Sequence, residues 1–254
     1  MKKYINLFLV VLFVLGKISN AQQQEKPKLV VGIVIDQMRA EYLYRFQDNY
    51  SENGFKRLIR EGFNVKNTHY NYIPTETGPG HASIYTGTTS VNHGIVSNFW
   101  YDRVLDKTVY CAEDENVLLV NNSGIQNDIK YKDFLRSPKN LMTTTITDEL
   151  KLFTNKRSKV IGISLKDRGA ILPAGHLADY AFWYSNKSGN FVTSTFYTQE
   201  LPNWLHQFNN RKLADSLMNT TWSPFLPIEK YRNSNPDDSP FERVYKGKEK
   251  SVFP

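Results

Sequence analysis

The sequence predicts an α/β protein with a mainly parallel central sheet flanked by helices. Two apolar runs, "KLVVGIVID" from Lys28 and "SKVIGISL" from Ser158, are continuous rather than alternating, as in strands buried on both faces of a parallel sheet. Helical patterns separate them, and strand–helix alternation builds a parallel sheet through crossover connections. With 40% hydrophobic and 22% charged residues in 254, the chain can bury a core, and wholesale disorder is excluded.

The elements follow in chain order. "MKKYINLFLVVLFVLGKISNAQQQ" opens with Lys2 and Lys3, continues through an apolar run from Leu7 to Gly16 and reaches the small residues Ser19-Asn20-Ala21. This is the pattern of a signal peptide over 1–21, cleaved after Ala21, and 22–27 is then a linker. The apolar run is too short to span a bilayer comfortably, so no stable membrane anchor is expected. Cleavage removes three lysines and no acid, which lowers the formal charge of +7 to +4. That mild excess suits anionic small molecules and is no nucleic-acid footprint.

After the first strand, "EYLYRFQDNYSENGFKRLIREG" reads as a helix with a turn inside it, closed by Gly62. "FNVKNTHYNYI" reads as a second strand, "GHASIYTG" as a short helix, and "HGIVSNFWYD" as a turn entering an extended segment. "LMTTTITDELKLFTN" is an amphipathic helix ahead of the strand "SKVIGISL". From Leu201 the texture turns rich in Trp, Asn and Pro, and 201–240 reads as an inserted cap rather than a layer of the sheet. The single cysteine, Cys111, forms no intramolecular disulfide and reads as a buried filler.

Five residues carry candidate chemistry. Asp36 follows the first apolar strand, and ligands of open α/β sheets sit beyond the carboxyl ends of strands. Capping the next helix is its other reading. Thr77 precedes "GPGHASIYTG", where glycines allow a tight turn and Pro79 presets a helical φ. A helix start offers free N–H groups and partial positive charge to an anion, and a hydroxyl there is placed to attack phosphorus. The plainer reading makes Thr77 an N-cap. Lys166 and Arg168 follow the strand "VIGISL". If the chain stays extended, period-2 spacing points both cations one way, toward a doubly charged phosphoryl group, with Asp167 opposite. A solvated surface turn is the alternative. Asn98 has an amide able to donate to a phosphate oxygen, although Asn in a turn is common for backbone reasons alone. His69, His81, His93, His176 and His206 show no metal-ligand spacing and read as structural, with His81 adjoining the Thr77 turn.

Together these segments resemble the alkaline phosphatase superfamily, in particular the phosphate-irrepressible alkaline phosphatases of the type I phosphodiesterase/nucleotide pyrophosphatase group. "GIVIDQMR", "PTETGPGHASIYTG", "HGIVSNFWYD" and "SLKDRGAILPAGH" occur in the family's order, from Lys28 to the end of the chain. The resemblance implies an alkaline-phosphatase-like fold and a periplasmic zinc phosphomonoesterase acting on small-molecule phosphate esters. Thr77 would be the transiently phosphorylated nucleophile and a ligand of one of two zinc ions, Asp36 a ligand of the same zinc, and Asn98, Lys166 and Arg168 the holders of the phosphoryl oxygens. Two cations favour a monoester dianion over a diester. Cys111 lacks the Cys-x-Pro-x-Arg context of sulfatases. The family's remaining Asp and His ligands have no counterpart in this sequence, so 28–254 is expected to be the N-terminal part of such a domain, inactive alone. A nucleotide pyrophosphatase/phosphodiesterase, or a truncated non-catalytic exported protein, is the alternative.

Overall fold

The computed structural model describes residues 27–128, 134–245 and 247–253. The expected signal peptide and the linker up to residue 26 lie outside the described residues. The chain divides into two units, one ending at Ile35 and one beginning at Asp36.

In the first unit the run 29–35 enters no β-ladder. Leu29, Val31 and Ile33 are 78%, 67% and 77% exposed, so the buried strand expected here is not formed. Apolar, β-branched residues supply propensity, but a strand exists only where a neighbour satisfies its N–H and C=O groups.

The second unit opens as its pattern predicts. Helix α1 (Tyr42–Arg45), a 3-10 turn (Gln47–Asn49) and helix α2 (Phe55–Glu61) make the helix with an internal turn. The Gly62 N–H closes α2 by donating to the Leu58 carbonyl at 2.9 Å. Residues 63–73 hold no strand, contrary to expectation. Helices α3 (Thr77–Thr86) and α4 (Ser90–His93) follow, then an antiparallel hairpin of β1 (Phe99–Asp102) and β2 (Lys107–Tyr110).

The remaining elements are β3 (Leu119–Asn121), β4 (Gly124–Gln126), α5 (Ile146–Phe153), β5 (Ile161–Ser164), α6 (Asp167–Ala174), β6 (Tyr180–Ser185), β7 (Asn190–Ser194), α7 (Asn203–Asn210) and α8 (Leu213–Met218). They build a five-stranded sheet in the order β4-β3-β7-β6-β5. The layers are those of an α/β fold, but the described sheet is mixed rather than mainly parallel: β5 and β6 are parallel, and the other pairs are antiparallel. The reason lies in the connections. β5 reaches β6 through α6, whereas β3–β4 and β6–β7 are joined by turns too short for a crossover.

Helix α6 packs against the sheet with Ala170, Ile171 and Leu172 fully buried, beside Trp183 and Val192. Gly162 permits that approach, since a Cβ there would come within 2.2 Å of the Ala170 carbonyl oxygen. Strand β5, expected to be buried on both faces, instead exposes Ile161 and Ile163 because it is the sheet's edge. Helix α5 starts on a capping box: the Thr145 hydroxyl accepts from the Asp148 N–H, and the Asp148 carboxylate accepts from the Thr145 N–H. Within the stretch expected to be a cap, Leu201 ahead of α7 and Leu205 in it pack with Val120 and Phe182, so that part is a layer on the sheet. No helix among the described residues is long and apolar enough to cross a membrane.

Candidate active site

The segment "ETGPG" turns into α3 with Glu76, not Thr77, at the N-cap. Thr77 is the first helical residue, so its hydroxyl is free of capping duty and donates to Asp36 Oδ2 at 3.0 Å. Asp36 caps nothing either, since α1 begins at Tyr42 behind the N-cap Glu41. Asp36 is exposed and Thr77 half-buried, which leaves the pair open to solvent.

Gly78 brings the next contact. Its N–H donates to Asn98 Oδ1 at 2.7 Å, and a Cβ at Gly78 would lie 3.0 Å from that oxygen and 3.2 Å from the Cys111 sulfur. A side chain here would crowd both atoms, and glycine lets α3 lie this close to Asn98 without that strain. The bond also orients the Asn98 amide: with Oδ1 occupied as acceptor, Nδ2 is the end left to donate elsewhere. Glu76 holds the Asn98 backbone, its carboxylate accepting the Asn98 N–H and the Ser97 hydroxyl, each at 2.7 Å. Those two bonds, the Asn98 one foremost, keep the Glu76 carboxyl below its ordinary pKa.

The expected cluster of free N–H groups at this helix start is largely spent. Gly78 donates to Asn98, Pro79 has no N–H, and Gly80 donates to the Glu76 carbonyl at 2.9 Å.

Lys166 and Arg168 do not continue the extended chain, as their spacing suggested. Helix α6 starts at Asp167 with Lys166 as its N-cap, an arrangement that suits an acid in the first turn. Lys166 is exposed. Arg168 is half-buried and turns toward the hairpin, where its Nη1 donates to the Tyr110 hydroxyl at 3.0 Å. Tyr110 donates its proton to Asp167 Oδ1, and Asp167 Oδ2 accepts from Arg136 Nε at 2.6 Å. The hairpin register sets Tyr110 opposite Phe99, and the Cys111 N–H continues the pairing by donating to the Asn98 carbonyl at 3.0 Å. Burial, and then the Asp167 charge, push the Cys111 thiol up to about 12, which fits an inert filler.

The histidines have separate local partners. The His81 Nδ1–H donates to the Thr77 carbonyl at 2.8 Å, steadying the first turn of α3. His93 accepts the Ile95 N–H on Nδ1, so its Nε2–H donates to Ser83 at 2.9 Å and cannot activate that hydroxyl as a base. Among the described residues no group of three or more His, Cys, Asp and Glu is placed to hold a metal ion.

Sequence reasoning missed Glu76, Tyr110 and Arg136. Glu76 had a local signal, an acid directly before a helix start. Tyr110 and Arg136 had none, for their bonds to Asp167 span 57 and 31 residues.

Residues 30–246 match the model of the family described as type I phosphodiesterase / nucleotide pyrophosphatase. Alkaline phosphatase PhoV of Synechococcus elongatus is 50% identical over 92% of this chain and 41% of its own length. A protein named calcium-transporting ATPase from Myroides odoratus is 47% identical over 92% of this chain and 41% of its own. Alkaline phosphatase PafA of Elizabethkingia meningoseptica is 45% identical over 100% of this chain and 45% of its own. A crystal structure of wild-type PafA superposes with a TM-score of 0.85 at 46% identity, covering 90% of this chain and 43% of that one. The chain thus spans less than half the length of these relatives, and the fold is alkaline-phosphatase-like. By this match, the chain belongs to the type I phosphodiesterase/nucleotide pyrophosphatase family.

Proposed function

We propose that this chain carries the nucleophile and the phosphoryl-oxygen donors of a phosphate monoesterase working through a phospho-threonine on Thr77. The observation that supports this best is the 3.0 Å approach of the Thr77 hydroxyl to Asp36, with the Asn98 amide oxygen held by the N–H of the adjoining Gly78. In the proposed transfer the Thr77 oxygen, giving up its proton, bonds to phosphorus as the ester P–O bond breaks and the leaving oxygen takes a proton to depart as the alcohol. Water then attacks the same phosphorus, the Thr77–phosphorus bond breaks, and inorganic phosphate is released with the threonine hydroxyl restored. Asn98 Nδ2, the Lys166 ammonium and the Arg168 guanidinium hold the non-bridging oxygens, where a monoester dianion carries more charge than a diester.

A threonine hydroxyl is too weak an acid to attack unaided. Zinc supplies such activation when bound, but Asp36 and Thr77 offer two donors where a zinc site takes about four ligands, three of them from protein in catalytic sites. The described residues therefore do not fit a zinc site by themselves. We infer that two zinc ions and their further ligands are completed outside the described residues, in line with the partial coverage of the relatives. Export is inferred from the pattern of 1–21 alone.

The test is p-nitrophenyl phosphate turnover by the full reading frame, with and without chelator. Chelation is expected to abolish turnover, and Thr77→Ala to lower kcat by a factor on the order of a thousand or more. Turnover indifferent to both would overturn the proposal. The family's description also covers diester chemistry. A preference for diesters that survives Lys166→Ala would favour that second reading.

A further inference from the structure

Arg168 is held by an arrangement that no local pattern announces. Its backbone N–H donates to Asp167 Oδ1 at 2.7 Å, and its Nη1 donates to the Tyr110 hydroxyl at 3.0 Å. Tyr110 is 7% exposed. Its one proton goes to Asp167, so its oxygen turns lone pairs toward Arg168 and can only accept from it. Arg136 makes the direction of that proton secure. It neutralises Asp167 from the far side at 2.6 Å and sets its guanidinium carbon 4.5 Å from the centre of the Tyr110 ring. Both side chains of the Arg136–Asp167 pair are largely buried, at 14% and 15% exposed. Arg168 Nε is buried, and the described residues leave this donor without a partner.

We propose that Tyr110 is a positioning residue for phosphoryl recognition, fixing the Arg168 guanidinium by one nitrogen so that its remaining donors meet the phosphate. Asp167 and Arg136 set the polarity of the Tyr110 hydroxyl that makes this possible. The inference rests on the monoesterase reading and on the place of Arg168 within it. The physical gain is preorganisation. A free arginine side chain loses rotamer entropy when it is ordered. Tyr110 orders it before substrate arrives, and only the transferring group's charge remains to be met.

The test uses the complete, metal-loaded enzyme and four forms of it: wild type, Tyr110→Phe, Arg168→Ala and the double variant. For each, kcat/KM is measured on p-nitrophenyl phosphate and on bis(p-nitrophenyl) phosphate, and the monoester-to-diester ratio is formed. The ratio does not depend on how much of a variant is folded, so a merely structural role leaves it unmoved. Tyr110→Phe removes both hydrogen bonds of that hydroxyl, the one accepted from Arg168 and the one donated to Asp167, and is expected to lower the ratio about tenfold. Arg168→Ala is expected to lower it further, and the double variant no further than Arg168→Ala alone. Equal loss on both substrates in Tyr110→Phe, complete loss included, overturns the role of Tyr110, as does an additive double variant. If Arg168→Ala leaves the ratio intact, the assignment of Arg168 falls as well. If Arg168→Ala lowers it and Tyr110→Phe does not, only the positioning role is lost.

Discussion

Strands β5 and β6 run parallel in one sheet and share a ladder from Ile161–Tyr180 to Ser164–Trp183, yet their surroundings differ sharply. In β6, Ala181, Phe182 and Trp183 are 0%, 0% and 2% exposed. In β5, Ile161 and Ile163 are 47% and 59% exposed. β6 lies between β7 and β5, under α6 on one face and near α7 on the other, while β5 is at the edge. An apolar run announces a strand's chemistry, and its neighbours in space decide whether that chemistry is used.

The comparison breaks first at Phe182. It stacks on Tyr180, meets Trp204 edge-on at 5.5 Å and packs on Leu205, so Phe182→Ala should cost about 3–5 kcal/mol in urea unfolding. A loss under about 1 kcal/mol would mean that β6 is no more central than β5.

A second prediction turns on pH and on the buried start of α5. Asp148 is 0% exposed and receives N–H groups from Thr145 and Leu177, with His176 Nδ1 at 3.6 Å. The Asp148 carboxylate beside it raises the His176 pKa above its ordinary value, so the histidine binds its proton more tightly folded than unfolded. Its contribution is therefore fully present below the unfolded value and fades as pH rises through the folded one. His176→Asn should lower the melting temperature by a few degrees at about pH 5.5 and by less at about pH 9. A gap that widens toward alkaline pH would contradict this sign.

The smallest effect belongs to β5. Ile163→Thr keeps a β-branched residue on an exposed edge and should shift the unfolding free energy by no more than about 0.5 kcal/mol. If that change rivals Phe182→Ala in urea titration, the contrast between the strands is gone.

The same contrast separates what could be read early from what could not. The turn inside the α1–α2 region, the helix after Thr77, the extended segment after Asn98 and the amphipathic α5 all rest on cues within a few residues, and each formed. The run 29–35 had equally strong local cues and formed no strand, because pairing is a non-local condition. In the candidate site, the proximity of Asp36 to Thr77 and the pairing of Asn98 with Gly78 join residues whose order was legible but whose distances were not. The rule that Lys-x-Arg points both cations one way failed because α6 begins between them. An acid at position 167 starts a helix as readily as it spaces a strand.

By itself, the sequence determined the identity and order of the reactive groups, the amphipathic pattern of α5 and the glycines that let the chain turn after Thr77. These depend on covalent neighbours and on the volume of single side chains. Only the tertiary structure decided that the Thr77 hydroxyl faces a carboxylate instead of capping its helix, that β5 is an edge, and that Arg168 leans on Tyr110 with Asp167 and Arg136 behind it. Hydrogen bonds and burial act over a few ångströms of space, and the fold brings together groups that lie tens of residues apart along the chain.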